Sequence, residues 1–194
     1  MKTDLKKIYN NFVSNNFIKY DPKQIEIIEE IKKAYEENKK INFFSKQKYF
    51  KGVYISGSVG IGKTFVINLF IQNSKKAKKI HFNHLMINIH AFINDNKNKP
   101  SLDQYISDLK KNFDIIFIDE MHIFNIVDAL IVRKIFILFQ KYKIFILTSS
   151  NFKPHELYRG GLQRNDFIPF IDLIKKTYKI LNLEGMKDYR RLML

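Results

Sequence analysis

Val53-Tyr54-Ile55-Ser56-Gly57-Ser58-Val59-Gly60-Ile61-Gly62-Lys63-Thr64 is the stretch that decides the fold. Its first three residues form a short apolar strand that runs into a glycine-rich loop. Gly57 to Thr64 fit the pattern G-x-x-x-x-G-K-[ST] in full, and Phe65 to Gln72 read as the helix that follows. Strand, loop and helix in that order are the context in which such a loop wraps phosphate. Glycines let backbone N–H groups turn inward around phosphate oxygens, and the helix points its N-terminus at the same anion. Gly57, Ser58, Val59, Gly60, Ile61, Gly62, Lys63 and Thr64 are therefore the expected nucleotide cradle. Lys63 is expected to reach the β- and γ-phosphates of ATP, and Thr64 to ligate Mg²⁺.

Further along, Ile115-Ile116-Phe117-Ile118 is apolar on both faces, as a buried parallel strand requires, and it ends in Asp119-Glu120. Two acids at a strand end are often merely solvated. Downstream of a phosphate loop they gain roles: Asp119 in the Mg²⁺ shell and Glu120 as the base that activates water. Asn151 follows the apolar strand Ile144–Leu147 and Thr148-Ser149-Ser150. A polar side chain there can hold the attacking water or the γ-phosphate, although an isolated asparagine in a turn is unremarkable.

Between these landmarks the chain alternates strand and helix. Asp21-Pro22 caps the first clear helix, with Ile25, Ile28, Ile31 and Tyr35 at three- and four-residue steps. Ile80-His81-Phe82 reads as a strand, followed by a helix from about Leu85 to Ile93 and a polar loop from Asn94 to Ser101. Helices are expected over 102–110, 126–139 and 170–176, a short helical turn over 154–158, and a last strand over 178–183. This alternation implies an α/β fold of the P-loop NTPase kind, a doubly wound parallel sheet with helices on both faces and ligands at the carboxyl ends of the strands.

Composition excludes several alternatives. The 194 residues, 45% of them hydrophobic, suffice for one core. There is no cysteine, so disulfides and thiolate metal sites are excluded. No apolar run approaches the roughly 20 residues of a membrane helix. Met1 to Asn10 lacks a signal peptide's apolar segment, so a cytoplasmic protein, at most peripheral to a membrane, is the expectation. The net charge is +15. Its lysines are scattered without interleaved aromatics, and abundant lysine, isoleucine and asparagine read as compositional drift. A nucleic-acid partner is not favoured on charge alone. His81, His84 and His90 lack the spacing of a metal site, and His155-Glu156 is not a zinc-protease motif because Arg159 stands where the second histidine belongs.

Several segments together resemble the AFG1/ZapE family of AAA+ ATPases. Gly57–Thr64 is similar to its G-x-V-G-x-G-K-[TS] loop, and His81-Phe82-Asn83-His84-Leu85-Met86 to its H-F-H-x-F-M segment. Asp119 to Leu130 resembles D-E-F-x-V-T-D-I-A-D-A-M. Ser149-Ser150-Asn151-Phe152-Lys153-Pro154 resembles T-S-N-x-x-P. Leu157-Tyr158-Arg159-Gly160-Gly161-Leu162-Gln163-Arg164 carries the specific G-L-Q-R segment, and Asp188-Tyr189-Arg190 the family's D-Y-R. The resemblance spans about residues 20 to 190. It implies the AAA+ strand order 5-1-4-3-2, ATP hydrolysis in a homo-oligomer acting on protein clients such as cell-division machinery, and Asn151 as the sensor of the γ-phosphate. It makes Arg164 the first choice for an arginine finger reaching a neighbouring subunit, with Arg159 second. Phe124, Asn125 and Phe152 depart from the family pattern. Family members continue past D-Y-R into a helical lid, whereas this sequence stops at Leu194. The expected organisation is a helical lead-in over 1–50 and an ATPase core over 51–194 without that lid. A helicase-loader-like accessory of nucleic-acid enzymes and a non-hydrolysing nucleotide-dependent scaffold are the competing readings.

Overall fold

The computed structural model describes residues 4–40, 51–95 and 101–183. The segment Asp188-Tyr189-Arg190 and most of the loop expected after Asn94 lie outside them.

Five strands form one parallel sheet: β1 (Gly52–Ser56), β2 (Ala77–His81), β3 (Ile115–Asp119), β4 (Phe145–Ser150) and β5 (Tyr178–Asn182). Read from β5, the spatial order is β5-β1-β4-β3-β2, the AAA+ order. The three inner strands are buried along their whole length, whereas the edge strands β2 and β5 are partly exposed. Only the inner strands therefore need apolar residues on both faces.

Alternation along the strands splits the core into two layers. Val53, Ile55, Ile115, Phe117, Phe145 and Leu147 point to one side. There they pack with α1 (Leu5–Ser14), α2 (Pro22–Lys39) and α3 (Lys63–Gln72). Tyr54, Ile116, Ile118, Ile146 and Tyr178 point to the other, against α4 (Phe82–Asn94), α5 (Leu102–Asn112), α6 (Ile126–Lys141) and α7 (Arg164–Thr177). On that second side Phe136 sits edge-on to Phe170, with ring centroids 5.0 Å apart.

Besides β4, which runs three residues past the expected Leu147 and takes in Thr148, Ser149 and Ser150, three elements differ from the sequence expectation. The first is α1, which precedes the expected first helix. Asp4 caps it by accepting from the Lys6 and Lys7 N–H groups, and Leu5 and Tyr9 are buried. The second is Phe82, which opens α4 rather than closing a strand, because β2 passes into that helix without a loop. The third is α7, which starts at Arg164, six residues earlier than expected. It runs through Pro169, which is exposed in the second turn, so the carbonyl left without its N–H partner faces water at modest cost.

The lead-in helices are tied to the glycine-rich loop by a chain of polar contacts. The buried Tyr9 hydroxyl accepts from the Asp21 N–H at 2.9 Å and donates to Gln24 Oε1 at 3.1 Å. The Gln24 amide in turn donates to the Ile61 carbonyl at 3.3 Å. Gly62, in the left-handed region at φ 87°, is where this side chain passes; a Cβ there would lie 2.4 Å from Gln24 Nε2.

Replacing Tyr9 by Phe strips a buried N–H of its acceptor. We expect a loss of about 1–3 kcal/mol in urea unfolding, with an unchanged denaturant slope.

Candidate nucleotide site

β1 ends at Ser56, the chain turns at Gly57 (φ 153°), and α3 begins at Lys63 behind the left-handed Gly62. A Cβ on Gly57 would lie 2.5 Å from Ile61 Cδ1 and 3.0 Å from Leu183 Cβ, and the positive φ would strain any side chain there. Because β1 pairs in parallel with β4, Ser56 lies beside Ser150, and the loop after β1 faces the residues after β4. Between them is a cavity of about 360 Å³ lined by Val59, Gly60, Gly62, Lys63, Thr64, Phe65, Glu120, Ser149, Ser150 and Asn151. It lies at the carboxyl ends of the central strands, where this class of sheet binds ligands.

Most of the expected site residues meet here, in different ways. The Lys63 ammonium donates to the carbonyls of Gly57 (2.6 Å) and Ser58 (2.7 Å) and to Asn151 Oδ1 (3.0 Å). Burial holds its pKa below the usual lysine value, against the opposing pull of Asp119 and Glu120. This cation is buried, and anionic phosphate oxygens are better acceptors for it than amide carbonyls. Ile61, by contrast, turns its side chain into the core at 2% exposure, so only its backbone belongs to the loop. The Val59 side chain is exposed.

Asp119 is buried at the end of β3, and donors from three elements converge on it. Thr64 Oγ1 (3.0 Å) and Ser149 Oγ (2.5 Å) both donate to Oδ1, and Lys79 Nζ lies 2.8 Å from Oδ2. Burial pushes the carboxyl upward, but the donors from Lys79, Ser149 and Thr64 outweigh it and hold the pKa below the usual carboxylate range. Thr64 Oγ1 and the Asp119 carboxylate are hard oxygen donors of the kind Mg²⁺ accepts. Mg²⁺ draws few ligands from protein and the rest from phosphate and water. Among the described residues there is no cluster of three or more His, Asp or Glu that could hold a metal. The donor set therefore fits a cation completed by a bound nucleotide.

Glu120 is in the left-handed region at φ 54°, with its side chain largely exposed. Its N–H donates to Ser149 Oγ at 2.9 Å, and its carboxylate lies 3.0 Å from His81 Nε2. Ser149 thus holds Asp119 with its proton and Glu120 with its lone pair. Ser150 repeats the stitch, donating to the Met121 carbonyl at 2.7 Å and accepting from the Phe152 N–H at 3.1 Å. Sequence reasoning gave no role to Ser149, Lys79 or His81. The parallel register puts His81 beside Asp119, but only the fold reveals that pairing.

Arg164 is not at the cavity. Its guanidinium donates to the carbonyls of Leu157 (2.7 Å) and His155 (2.6 Å), so it turns back on its own chain instead of reaching outward. It clamps the loop that presents Arg159, which is exposed. Phe124 and Phe152, two of the departures from the family pattern, are joined through His122. Its ring centroid lies 3.7 Å from that of Phe124 and 4.4 Å from that of Phe152. Burial lowers the His122 pKa.

The lowered pKa of Asp119 has a sign that can be checked. A carboxylate depressed in the folded state stabilises the fold above its unfolded value of about 3.9, and that contribution disappears as pH falls through the folded value. Asp119→Asn should therefore destabilise the protein at pH 7, and the gap to the parent should close progressively below about pH 4. Urea unfolding at the two pH values measures this; an equal gap at both contradicts the assignment.

Comparison with known proteins agrees with this geometry. The family model for AFG1-like ATPase matches residues 3–194. Over 157 residues the chain is 34% identical to Lactation elevated protein 1 homolog B of Danio rerio, covering 72% of this chain and 31% of that protein. Over 143 residues it is 32% identical to Cell division protein ZapE of Escherichia coli (strain K12), covering 72% and 38%. The chain thus spans about a third of the length of these curated relatives. Among solved structures, DnaI superposes with a TM-score of 0.60 at 17% identity, covering 89% of this chain and 87% of that one. The AMPPCP-bound DnaA of Aquifex aeolicus gives 0.57 at 16%, covering 91% and 51%. At such identities these two likenesses concern the fold alone. The family match over nearly the whole sequence, in a chain whose glycine-rich loop, Glu120 and Asn151 line one cavity, places it in the AFG1-like ATPase family.

Proposed function

We propose that the chain binds ATP with Mg²⁺ in this cavity and hydrolyses it to ADP and phosphate, in an assembly of several copies that acts on protein partners. The carrying observation is the convergence of Lys63, Thr64, Glu120 and Asn151 on one cavity at the strand ends, with Asp119 bonded to Thr64 beside it. We assign the core of this activity to residues 51–194 and a lead-in to residues 1–50, whose helix α2 contacts the glycine-rich loop through Gln24.

The chemistry follows from the groups present. Lys63 exchanges its carbonyl partners for β- and γ-phosphate oxygens, and the backbone N–H groups of Gly60 to Thr64 complete the cradle. Thr64 and Asp119 would hold Mg²⁺, which supplies charge neutralisation as the terminal phosphoryl group transfers. Glu120 accepts the proton of the attacking water. Asn151, within reach of the Lys63 ammonium, fixes the γ-phosphate. Glu120 is free to swing because its side chain is exposed and its one described partner is His81.

The geometry shifts the proposed finger from Arg164 to Arg159. Arg164 spends its donors on carbonyls of its own chain, while Arg159 stands exposed on the loop that Arg164 secures. A protein client is favoured by the family and by the division-related name of one relative. Nucleic acid is not favoured, because the likeness to replication proteins is one of fold. No helix among the described residues is long and apolar enough to cross a membrane. A cytoplasmic location remains part of the proposal.

Steady-state turnover against protein concentration tests this reading. Specific activity should rise with concentration. Glu120→Gln should lower it by roughly 10²–10⁴ while ATP stays bound. Arg159→Ala should lower it by roughly 10³ or more without loss of stability, whereas Arg164→Ala should lower stability as well. Bound ATP with background turnover at every concentration would favour a nucleotide-dependent scaffold instead.

A further inference from the structure

Lys79 has no part in the mechanism above, yet its ammonium lies 2.8 Å from Oδ2 of Asp119. It reaches there from the edge strand β2, and the ammonium also lies 5.4 Å from the centroid of the Phe117 ring. The two partners differ sharply in exposure. The Asp119 side chain is 6% exposed, and the Lys79 side chain is 40% exposed. A carboxylate this buried needs a compensating charge, because removing its partner leaves an unsolvated anion. Thr64 and Ser149 occupy Oδ1 with neutral hydroxyls and supply no charge. Lys79 is the described cation in contact with that carboxylate.

A divalent cation held by Thr64 and Asp119 would share this carboxylate. Two cations on one carboxylate repel each other over a few ångströms, and the repulsion is strong where water is excluded. Asp119 cannot move, since it is fixed in β3 and bonded from α3 and β4. Lys79 can. Its long, flexible stem is on the sheet edge, with solvent beside its head.

We infer that Lys79 is a displaceable counter-ion of Asp119, which neutralises the buried carboxylate until a divalent cation arrives and competes with that cation for it. The inference rests on the proposed ATP–Mg²⁺ reading and adds a regulatory consequence to it. Lys79 trades stability of the metal-free protein against metal affinity, and so sets the Mg²⁺ concentration at which the site loads.

The test uses the full chain, with Lys79→Met, which keeps an unbranched stem of similar length and removes the charge. Lys79→Gln serves as a second, polar variant should the first fail to fold. Two quantities are read by thermal melting. One is Tm in chelator without nucleotide. The other is the Mg²⁺ concentration giving half of the Tm rise at saturating AMPPCP. Both variants should melt about 3 °C or more lower in chelator. Both should also need roughly tenfold less Mg²⁺, equivalent to about 1.4 kcal/mol. If the parent responds to Mg²⁺ and the variants have an unchanged or higher midpoint, or an unchanged Tm in chelator, Lys79 is not a competing counter-ion and the inference falls while the nucleotide reading stands. If the parent itself shows no Mg²⁺-dependent rise, the nucleotide reading fails and takes this inference with it.

Discussion

A carboxylate buried at the end of a central strand has to be matched from every side, and Asp119 organises this molecule through that requirement. Its donors come from α3 through Thr64, from β4 through Ser149 and from β2 through Lys79. Satisfying it fixes the start of the α3 helix against the ends of three neighbouring strands. Ser149 also receives the Glu120 N–H, so the same hydroxyl sets the turn that presents the candidate base. An unpaired charge here would cost more than any single apolar contact nearby. The polar knot and the phosphate loop are consequently one unit.

Lys63 shows the same economy with the opposite sign. It is buried at the mouth of the loop and its charge is disfavoured there, yet three acceptors hold it in place. A cation kept out of water and held only by neutral oxygens is a better partner for an anion of high charge density than for those oxygens. The acids behind it, Asp119 and Glu120, oppose burial and favour its charged form. The contact between Lys63 and Asn151 brings the loop after β4 into the same unit, across the β1–β4 pairing that forms the middle of the sheet.

Much of this was legible in the sequence because the rules involved are local. Gly57 to Thr64 specify a loop by glycine and lysine spacing, and β3 and β4 announce themselves by being apolar on both faces. The edge strand β2 was harder. With Lys78 and Lys79 on an exposed edge it shows little alternation, and the sequence reading of 80–82 starts three residues and ends one residue later than the strand itself. The α1 helix was legible but missed: Leu5, Ile8, Tyr9, Phe12 and Val13 recur at helical steps behind the Asp4 cap. The start of α7 was hidden by Pro169, which usually argues against a helix interior. What no local rule could supply were contacts across the sheet. His81 to Glu120, Lys79 to Asp119, and Phe124 to Phe152 through His122 each join residues that are distant in sequence and adjacent only because of strand order. Arg164 illustrates the converse. Its motif suggested an outward-reaching side chain, but the left-handed Gln163 before it turns the helix start so that the guanidinium meets its own loop.

The central claim is that this cavity is a nucleotide site built around Lys63. Calorimetric titration of the parent and of Lys63→Ala with ATP and Mg²⁺ tests it most directly. The account predicts one site per chain in the parent and an affinity lower by roughly 10- to 100-fold in the variant, the worth of a charge-assisted phosphate contact. Equal affinity in both proteins, or no binding by the parent, would contradict it.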